Sequence, residues 1–262
     1  MIIRAMPVLL LLTLSWTSAR TEELTVLSYN INYGNVDLDE TCRLIREADA
    51  DLVALQEVTP AAEEHLSECL AEHYAHQAFQ SGQAATGFGF LSRWPLEDVR
   101  YHPPEHGWFG SFLARIQFND ESLELANVHL LPTIPERGEG ALRLLGRYMQ
   151  LESTRIKEVE SLLAAMPSEG LRLVMGDFNT IPGMGSLQLL EASGLVDAAT
   201  AHGGERANTW SWSLDGWTVS LCLDYIFADQ RWRVDAFKVS AEGPSDHYPV
   251  VARLFLQSAP TH

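Results

Sequence analysis

The sequence is short of cysteine, of positive charge and of long apolar runs, and each shortage excludes something. Its 262 residues hold three cysteines, Cys42, Cys69 and Cys222. Three is odd, and their spacing suggests no zinc site. Basic residues are outnumbered: 18 Lys+Arg stand against 35 Asp+Glu, a formal net charge of -17. Such a chain is repelled by polyphosphate and by anionic membranes. That argues against tight, salt-resistant nucleic-acid binding but allows transient contact helped by a divalent cation. Spanning a bilayer takes about 20 consecutive apolar residues, and no stretch is that long. There is no Gly-rich phosphate loop and no Gly-x-Ser-x-Gly elbow. No covalent nucleophile stands out, so an activated water is the default attacker.

What is present is the composition of a globular protein, with no sign of disorder or of a membrane bundle. The first twenty residues stand apart. Arg4 supplies a positive charge, Val8 to Leu14 is almost wholly apolar, and Thr17-Ser18-Ala19 is a small-residue site. This is the layout of a secretory signal peptide over residues 1–19, cleaved after Ala19. It predicts a secreted or periplasmic protein with no transmembrane segment in the mature chain; an uncleaved N-terminal anchor is the alternative. One domain is expected from about residue 22 to 257, with no internal repeat or linker.

The domain opens β-α-β-α. Leu24–Asn30 reads as a strand and Leu38–Ala48 as a helix with apolar residues at 38, 42 and 45. Leu52–Leu55 is a short apolar strand ending at Gln56-Glu57. Thr59-Pro60 is an N-cap followed by proline at the first helical position, of a helix running to about Glu72. Cys42 and Cys69 fall on the apolar faces of these two helices; they pair if the helices pack side by side, and are otherwise buried thiols. Gly87–Ser92 and Leu96–Tyr101 read as partner strands, and Phe112–Phe118 with Ser122–His129 as a hairpin about Asn119-Asp120-Glu121. A long helix over Ala141–Ala165 turns Leu145, Met149, Ile156, Val159 and Leu163 inward. Leu171–Met175 is a strand leading into Gly176-Asp177-Phe178-Asn179, and a short helix follows at Ser186–Ala192. Thr209–Leu221 is rich in tryptophan and holds an Asp215-Gly216 turn; Leu223–Phe227, Trp232–Val239 and Val250–Leu256 are strands. Alternating β and α elements predict a layered α/β fold.

The strand ends carry a set of polar residues: Asn30, Asn32, Glu57, His129, Asp177, Asn179, Asp224, Asp246 and His247. All offer oxygen or imidazole and none a thiolate. Hard oxygen ligands suit Mg2+, Mn2+ or Ca2+ better than zinc.

These residues lie in ordered blocks that resemble the endonuclease/exonuclease/phosphatase superfamily: Ser28-Tyr29-Asn30-Ile31, Leu55-Gln56-Glu57, Leu91-Ser92-Arg93-Trp94-Pro95, Asn127-Val128-His129, Gly176-Asp177-Phe178-Asn179, Leu223-Asp224-Tyr225-Ile226-Phe227 and Ser245-Asp246-His247-Tyr248-Pro249. The resemblance covers nearly the whole mature chain. It implies a four-layer α/β sandwich, two packed mixed sheets flanked by helices, and metal-dependent hydrolysis of phosphate esters; a monomer is expected. It also implies roles. Glu57 with Asn30 and Asp246 would serve the metal, while Asn32 would ligate weakly or only cap a turn. Asp177 and Asn179 would handle the attacking water. His247, oriented by Asp224, would bind the phosphoryl group, and His129 the departing oxygen. Arg93 would tie loops together, in preference to reaching phosphate. Histidine in the Asn-x-His block resembles the secreted deoxyribonuclease, sphingomyelinase and inositol-phosphate phosphatase branches.

The chain departs from the family where Leu221-Cys222-Leu223 is apolar instead of basic, which puts nucleic-acid cleavage in doubt. Trp210 is expected in the core. Trp212 and Trp217 are expected to cover a sheet edge, in preference to stacking on a base or touching lipid. The loop Pro132 to Gly146, with Arg137 and Arg143, is the expected lid. A sphingomyelinase-like lipid phosphodiesterase, a nuclease of toxin-subunit type and a non-catalytic binding subunit are the alternatives. The compact length is expected to leave little room for a membrane-docking hairpin.

Overall fold

The computed structural model describes residues 23–134, 141–167, 170–204, 206–214 and 217–257. The expected signal peptide, Arg137 and the Asp215-Gly216 turn lie outside them, as do the side chains of Leu145 and Trp217.

In chain order the elements are β1 (Glu23–Asn30), α1 (Leu38–Ala48), β2 (Leu52–Gln56), α2 (Pro60–Cys69), β3 (His76–Gln80), β4 (Phe88–Ser92), β5 (Glu97–His102), β6 (Ser111–Phe118), β7 (Glu121–His129) and α3 (Ala141–Ala165). The chain continues through β8 (Leu171–Asp177), α4 (Gly185–Ala192), β9 (Leu195–Asp197), α5 (Ala198–Ala201), β10 (Trp210–Leu214), β11 (Trp217–Leu221), β12 (Asp224–Asp229), β13 (Trp232–Val239) and β14 (Val250–Leu256). Two six-stranded sheets form, in the orders β13-β14-β1-β2-β4-β3 and β5-β6-β7-β8-β12-β9. The β1–β2 and β7–β8 pairs are parallel and their neighbours antiparallel, so both sheets are mixed.

Why the central strands read as unbroken apolar runs follows from the layering. Leu52 and Ala54 face the second sheet in a shared core with Phe112, Leu125, Leu173 and Met175. Val53 and Leu55 face the other way, packing with Cys42, Ile45, Ala62 and Leu66 of α1 and α2. In the second sheet Val174 and Phe227 turn outward to Val159 and Leu162 of α3 and Leu187 and Leu190 of α4. A strand covered on both faces has no polar alternation. The result is a four-layer α/β sandwich, with two mixed sheets between helices.

Several expectations need correction. The strand at 97–102 pairs with β6 across the sandwich and not with β4, whose two edges are taken by β2 and β3. β3 escapes sequence reading because His76-Gln77-Ala78-Phe79 is polar and half-buried. Helix α2 stops at Cys69, short of Glu72. Met149 is 56% exposed, so the inward face of α3 does not reach it. β10 and β11 form a separate two-stranded hairpin outside the two large sheets. The Thr59 cap and Pro60 start are as expected: the Thr59 hydroxyl accepts from the Ala62 N–H. Of the two alternatives for Cys42 and Cys69, the disulfide is the one present; it joins α1 to α2 and closes a separation of 27 residues. A loop of that size gives about 3 kcal/mol of stabilisation.

Gly176, next to the end of β8 before the site, is held in a close backbone approach. Its φ is +148°, and a Cβ there would sit 2.0 Å from the Val128 carbonyl oxygen on the paired strand β7. Any side chain must push β8 away from β7. Gly176→Ala is expected to cost about 3 kcal/mol or more of unfolding free energy, read by urea denaturation. A loss within about 0.5 kcal/mol would contradict this reading.

Candidate active site

The register of the strands brings the polar residues to one edge. Asn30 ends β1 opposite Gln56, the residue before Glu57. His129 ends β7 opposite Asp177, and Asp177 is in turn opposite Asp224. Ser245 is fastened to β1, its hydroxyl donating to the Asn30 carbonyl and accepting from the His247 N–H. So Asn30, Glu57, His129, Asp177, Asn179, Asp224, Asp246 and His247 gather at one end of the sandwich.

The backbone there is strained. Asn32, Glu57 and Asn179 all adopt left-handed φ values of 60, 62 and 49°. Asparagine tolerates this conformation locally; glutamate pays about 1–2 kcal/mol for it. The Glu57 carboxylate is bonded at both oxygens, Oε1 accepting from Asn30 Nδ2 at 2.9 Å and Oε2 from the Tyr33 N–H at 2.9 Å.

One oxygen is the centre of the site. Asp177 Oδ2 accepts from Asn30 Nδ2 at 3.1 Å and from Asn179 Nδ2 at 3.2 Å. His129 Nε2 lies 3.5 Å from it and His247 Nε2 3.6 Å. The other oxygen, Oδ1, accepts from the Asn179 N–H in an Asx turn. Asp177 is buried, and burial lifts its carboxyl above the usual range.

The two histidines differ in electrostatics. His129 is fully enclosed and stacked on Phe109, with ring centroids 4.0 Å apart. Burial disfavours its charge and lowers its pKa to about 4. Burial also opposes charge on His247, but the carboxylates of Asp224, Asp177 and Asp246 outweigh it, so its pKa is raised. Asp224 Oδ2 holds His247 Nδ1 at 2.9 Å, which fixes the ring and leaves Nε2 facing Asp177.

Asp246 and Asn32 act as a pair. Asp246 Oδ1 accepts from Asn32 Nδ2 at 2.7 Å and Oδ2 from Trp210 Nε1 at 2.9 Å. Trp210 is therefore not simply core: it anchors Asp246, and β10 is stitched to this segment by Ser211 N–H to the Asp246 carbonyl and Tyr248 N–H to the Thr209 carbonyl. Trp212 sits 6.4 Å from Trp210, ring to ring, and stays 37% exposed on the hairpin. Arg93 binds Asp49 and Asp51, a loop tie as expected. Arg143 is exposed in the first turn of α3.

Sequence reading missed the supports beneath the site. Gln56 Nε2 donates to Asn127 Oδ1 at 2.7 Å, and Asn127 Nδ2 to the carbonyls of Leu55 and Gly89, joining the two sheets. On α3, Glu152 accepts from Thr180 and the Ser186 N–H, while Arg155 donates to the Leu131 carbonyl and Glu158 accepts from the Leu131 N–H. The three are spaced i, i+3, i+6, one face of the helix. They look like a solvated stripe in sequence, yet all are buried.

The donor set fits a hard divalent cation: the carboxylates of Glu57 and Asp246 offer oxygen, and no thiolate is present. Asn30 turns its NH2 toward Glu57 and Asp177 while its Oδ1 accepts from the Asn32 N–H at 3.0 Å. To offer oxygen to a cation there, the amide must turn over and release Asn32. Asp177, Asp224 and His247 also place ligand atoms within 4.8 Å of one another. The short Asp224–His247 contact makes that trio an ion-paired relay, not a cage.

The opposed histidine pKa shifts are testable in the metal-free protein by 15N NMR. His247 is expected to keep its imidazolium well above the ordinary value of about 6.5, and His129 to be neutral at pH 7. Asp224→Asn should bring the His247 pKa down. Because the folded value is raised, the stability contributed by His247 is full below about 6.5 and is lost as pH rises through the folded value. A His247 already neutral at pH 7 would contradict the geometry.

The family model for the endonuclease/exonuclease/phosphatase family matches residues 27–247. No curated protein matches the chain in sequence. Among solved structures, TDP2 from C. elegans superposes with a TM-score of 0.67 at 17% identity, covering 89% of this chain and 75% of that one. An endonuclease/exonuclease/phosphatase family protein from Leptotrichia buccalis C-1013-b gives 0.69 at 18%, covering 88% and 99%. D. rerio TDP2 complexed with a single-strand DNA product gives 0.68 at 16%, covering 88% and 98%. At these identities the solved structures speak for the fold alone, and the family match covers most of the chain. The chain belongs to the endonuclease/exonuclease/phosphatase family and is a phosphoesterase.

Proposed function

We propose that this chain is an exported phosphodiesterase that depends on a divalent cation, Mg2+ in the first instance with Mn2+ or Ca2+ as alternates. The observation that carries the reading is the convergence of Asn30, Asn179, His129 and His247 on Asp177 Oδ2 within 3.1 to 3.6 Å. Export rests on the layout of residues 1–19, and the Cys42–Cys69 disulfide agrees with an oxidising compartment.

In this reading Glu57, with Asn30 and Asp246, would hold the cation, whose positive charge would offset the negative charge building up on the phosphoryl group. Asp177, aligned by Asn179, accepts a proton from the attacking water; its raised pKa brings it closer to the operating pH of a general base. His247, charged and held by Asp224, presents Nε2–H to a phosphoryl oxygen. His129, neutral and braced by Phe109, faces the departing oxygen. These groups are fixed before substrate arrives, which is where electrostatic stabilisation gains its size.

The substrate class is a phosphate ester, a phosphodiester in the first instance with a phosphomonoester as the alternate. For nucleic acid, the net charge of -17 favours brief contact over tight binding. A lipid phosphodiester is the second reading, favoured by the hairpin that exposes Trp212 and Val219.

Turnover of plasmid DNA, single-stranded DNA, bis-p-nitrophenyl phosphate, inositol phosphates and sphingomyelin vesicles, with Mg2+ and with chelator, tests this. Release is expected from at least one diester, abolished by chelator. His247→Ala is expected to lower kcat by about 10^3 or more with an unchanged circular dichroism spectrum. Chelator-resistant turnover, or no turnover on any substrate with Mg2+ or Mn2+, would sink the proposal.

A further inference from the structure

A second group of metal-ligand side chains lies outside the active site, on the outer face of the first sheet. Cys42 on α1 and Cys69 and His65 on α2 place their sulfurs and one imidazole nitrogen within 4.8 Å of one another. Asp39 on α1 brings a carboxylate oxygen to 3.0 Å from His65 Nε2. That nitrogen is shielded from water and makes no hydrogen bond of good geometry. Linear cysteine spacing hides this set, because its members come in pairs from two helices. Asp39 and Cys42 are three apart and His65 and Cys69 four apart, each pair on one helix face.

We propose that, once the Cys42–Cys69 disulfide is reduced, the two sulfurs, the His65 imidazole and the Asp39 carboxylate bind one zinc ion. A dithiol reductant gives two electrons and two protons to the disulfide and is itself oxidised to a disulfide. Zinc then displaces the two thiol protons to solvent. Two thiolates, one imidazole and one carboxylate make a four-ligand set of the kind tetrahedral zinc takes. Thiolates on such an ion stand about 3.8 Å apart, at about 2.3 Å from the metal. The Cα atoms of Cys42 and Cys69, 6.4 Å apart, accommodate that separation. Binding keeps α1 and α2 joined under reducing conditions, such as those a chain meets before export. The joint matters because α1 follows the loop of Asn30 and Asn32, and α2 begins three residues after Glu57.

The test uses the full chain, reduced with a phosphine, stripped of metal and then given excess Mg2+ to occupy the oxygen-rich active site. Titration with Co2+ is expected to produce thiolate-to-cobalt charge-transfer absorption that saturates at one equivalent and disappears when Zn2+ is added. The oxidised protein and the C42S/C69S variant should show none. His65→Ala should weaken zinc at least about tenfold, measured by competition with a chromophoric chelator, while Mg2+-dependent turnover stays within about twofold. The proposal is overturned if reduced protein with native circular dichroism shows no thiolate band. It is also overturned if His65→Ala leaves zinc affinity unchanged, or if reduction alone unfolds the chain before metal is added.

Discussion

A buried carboxylate needs partners, and most of the active-site end of this molecule is arranged around giving partners to Asp177. Removing a charge from water without compensation costs several kcal/mol. Here the compensation comes from both sheets. Asn30 reaches it from β1 in the first sheet, His129 from β7 in the second, and His247 from the segment leading into β14. The two sheets must therefore hold their separation closely. The Gln56–Asn127 bond and the Asn127 contacts to Leu55 and Gly89 fix that separation directly below the site.

The strain at Glu57 fits the same picture. A left-handed glutamate persists only where its surroundings over-determine it. Its two carboxylate oxygens are held by Asn30 and by the Tyr33 N–H, and the helix that follows it, α2, is tied to α1 by a disulfide. The loops after β7 and β8 are fixed from the opposite side by Glu152, Arg155 and Glu158 of α3. Site geometry is thus set from the first-sheet helices and the second-sheet helix together, not by the loops alone.

Much of this was legible in the sequence because the central strands announce themselves. Val53 and Ala54, or Val174 and Met175, are apolar on both faces, and the residues that follow each run are the ones that meet at the site. The pairing of strands was less legible. β3 carries polar, half-buried side chains, and the crossing of β5 to the other sheet depends on which edges of β4 are already occupied, a tertiary fact. Polar residues that serve other polar residues were the hardest to find. Trp210 was expected in the core yet anchors Asp246, and Arg155, which no sequence signal singles out, is fully buried. Composition does not separate such residues from ordinary ones; only their partners do.

If Asp177 serves the water and Glu57 the cation, the dependence of kcat on Mg2+ in Asp177→Asn separates the two. The substitution keeps size and removes the base. The expected result is a fall in kcat of about 10^3 with the half-saturating Mg2+ concentration unchanged within about threefold. If raising Mg2+ restores the rate, Asp177 is chiefly a metal ligand and the central assignment is wrong.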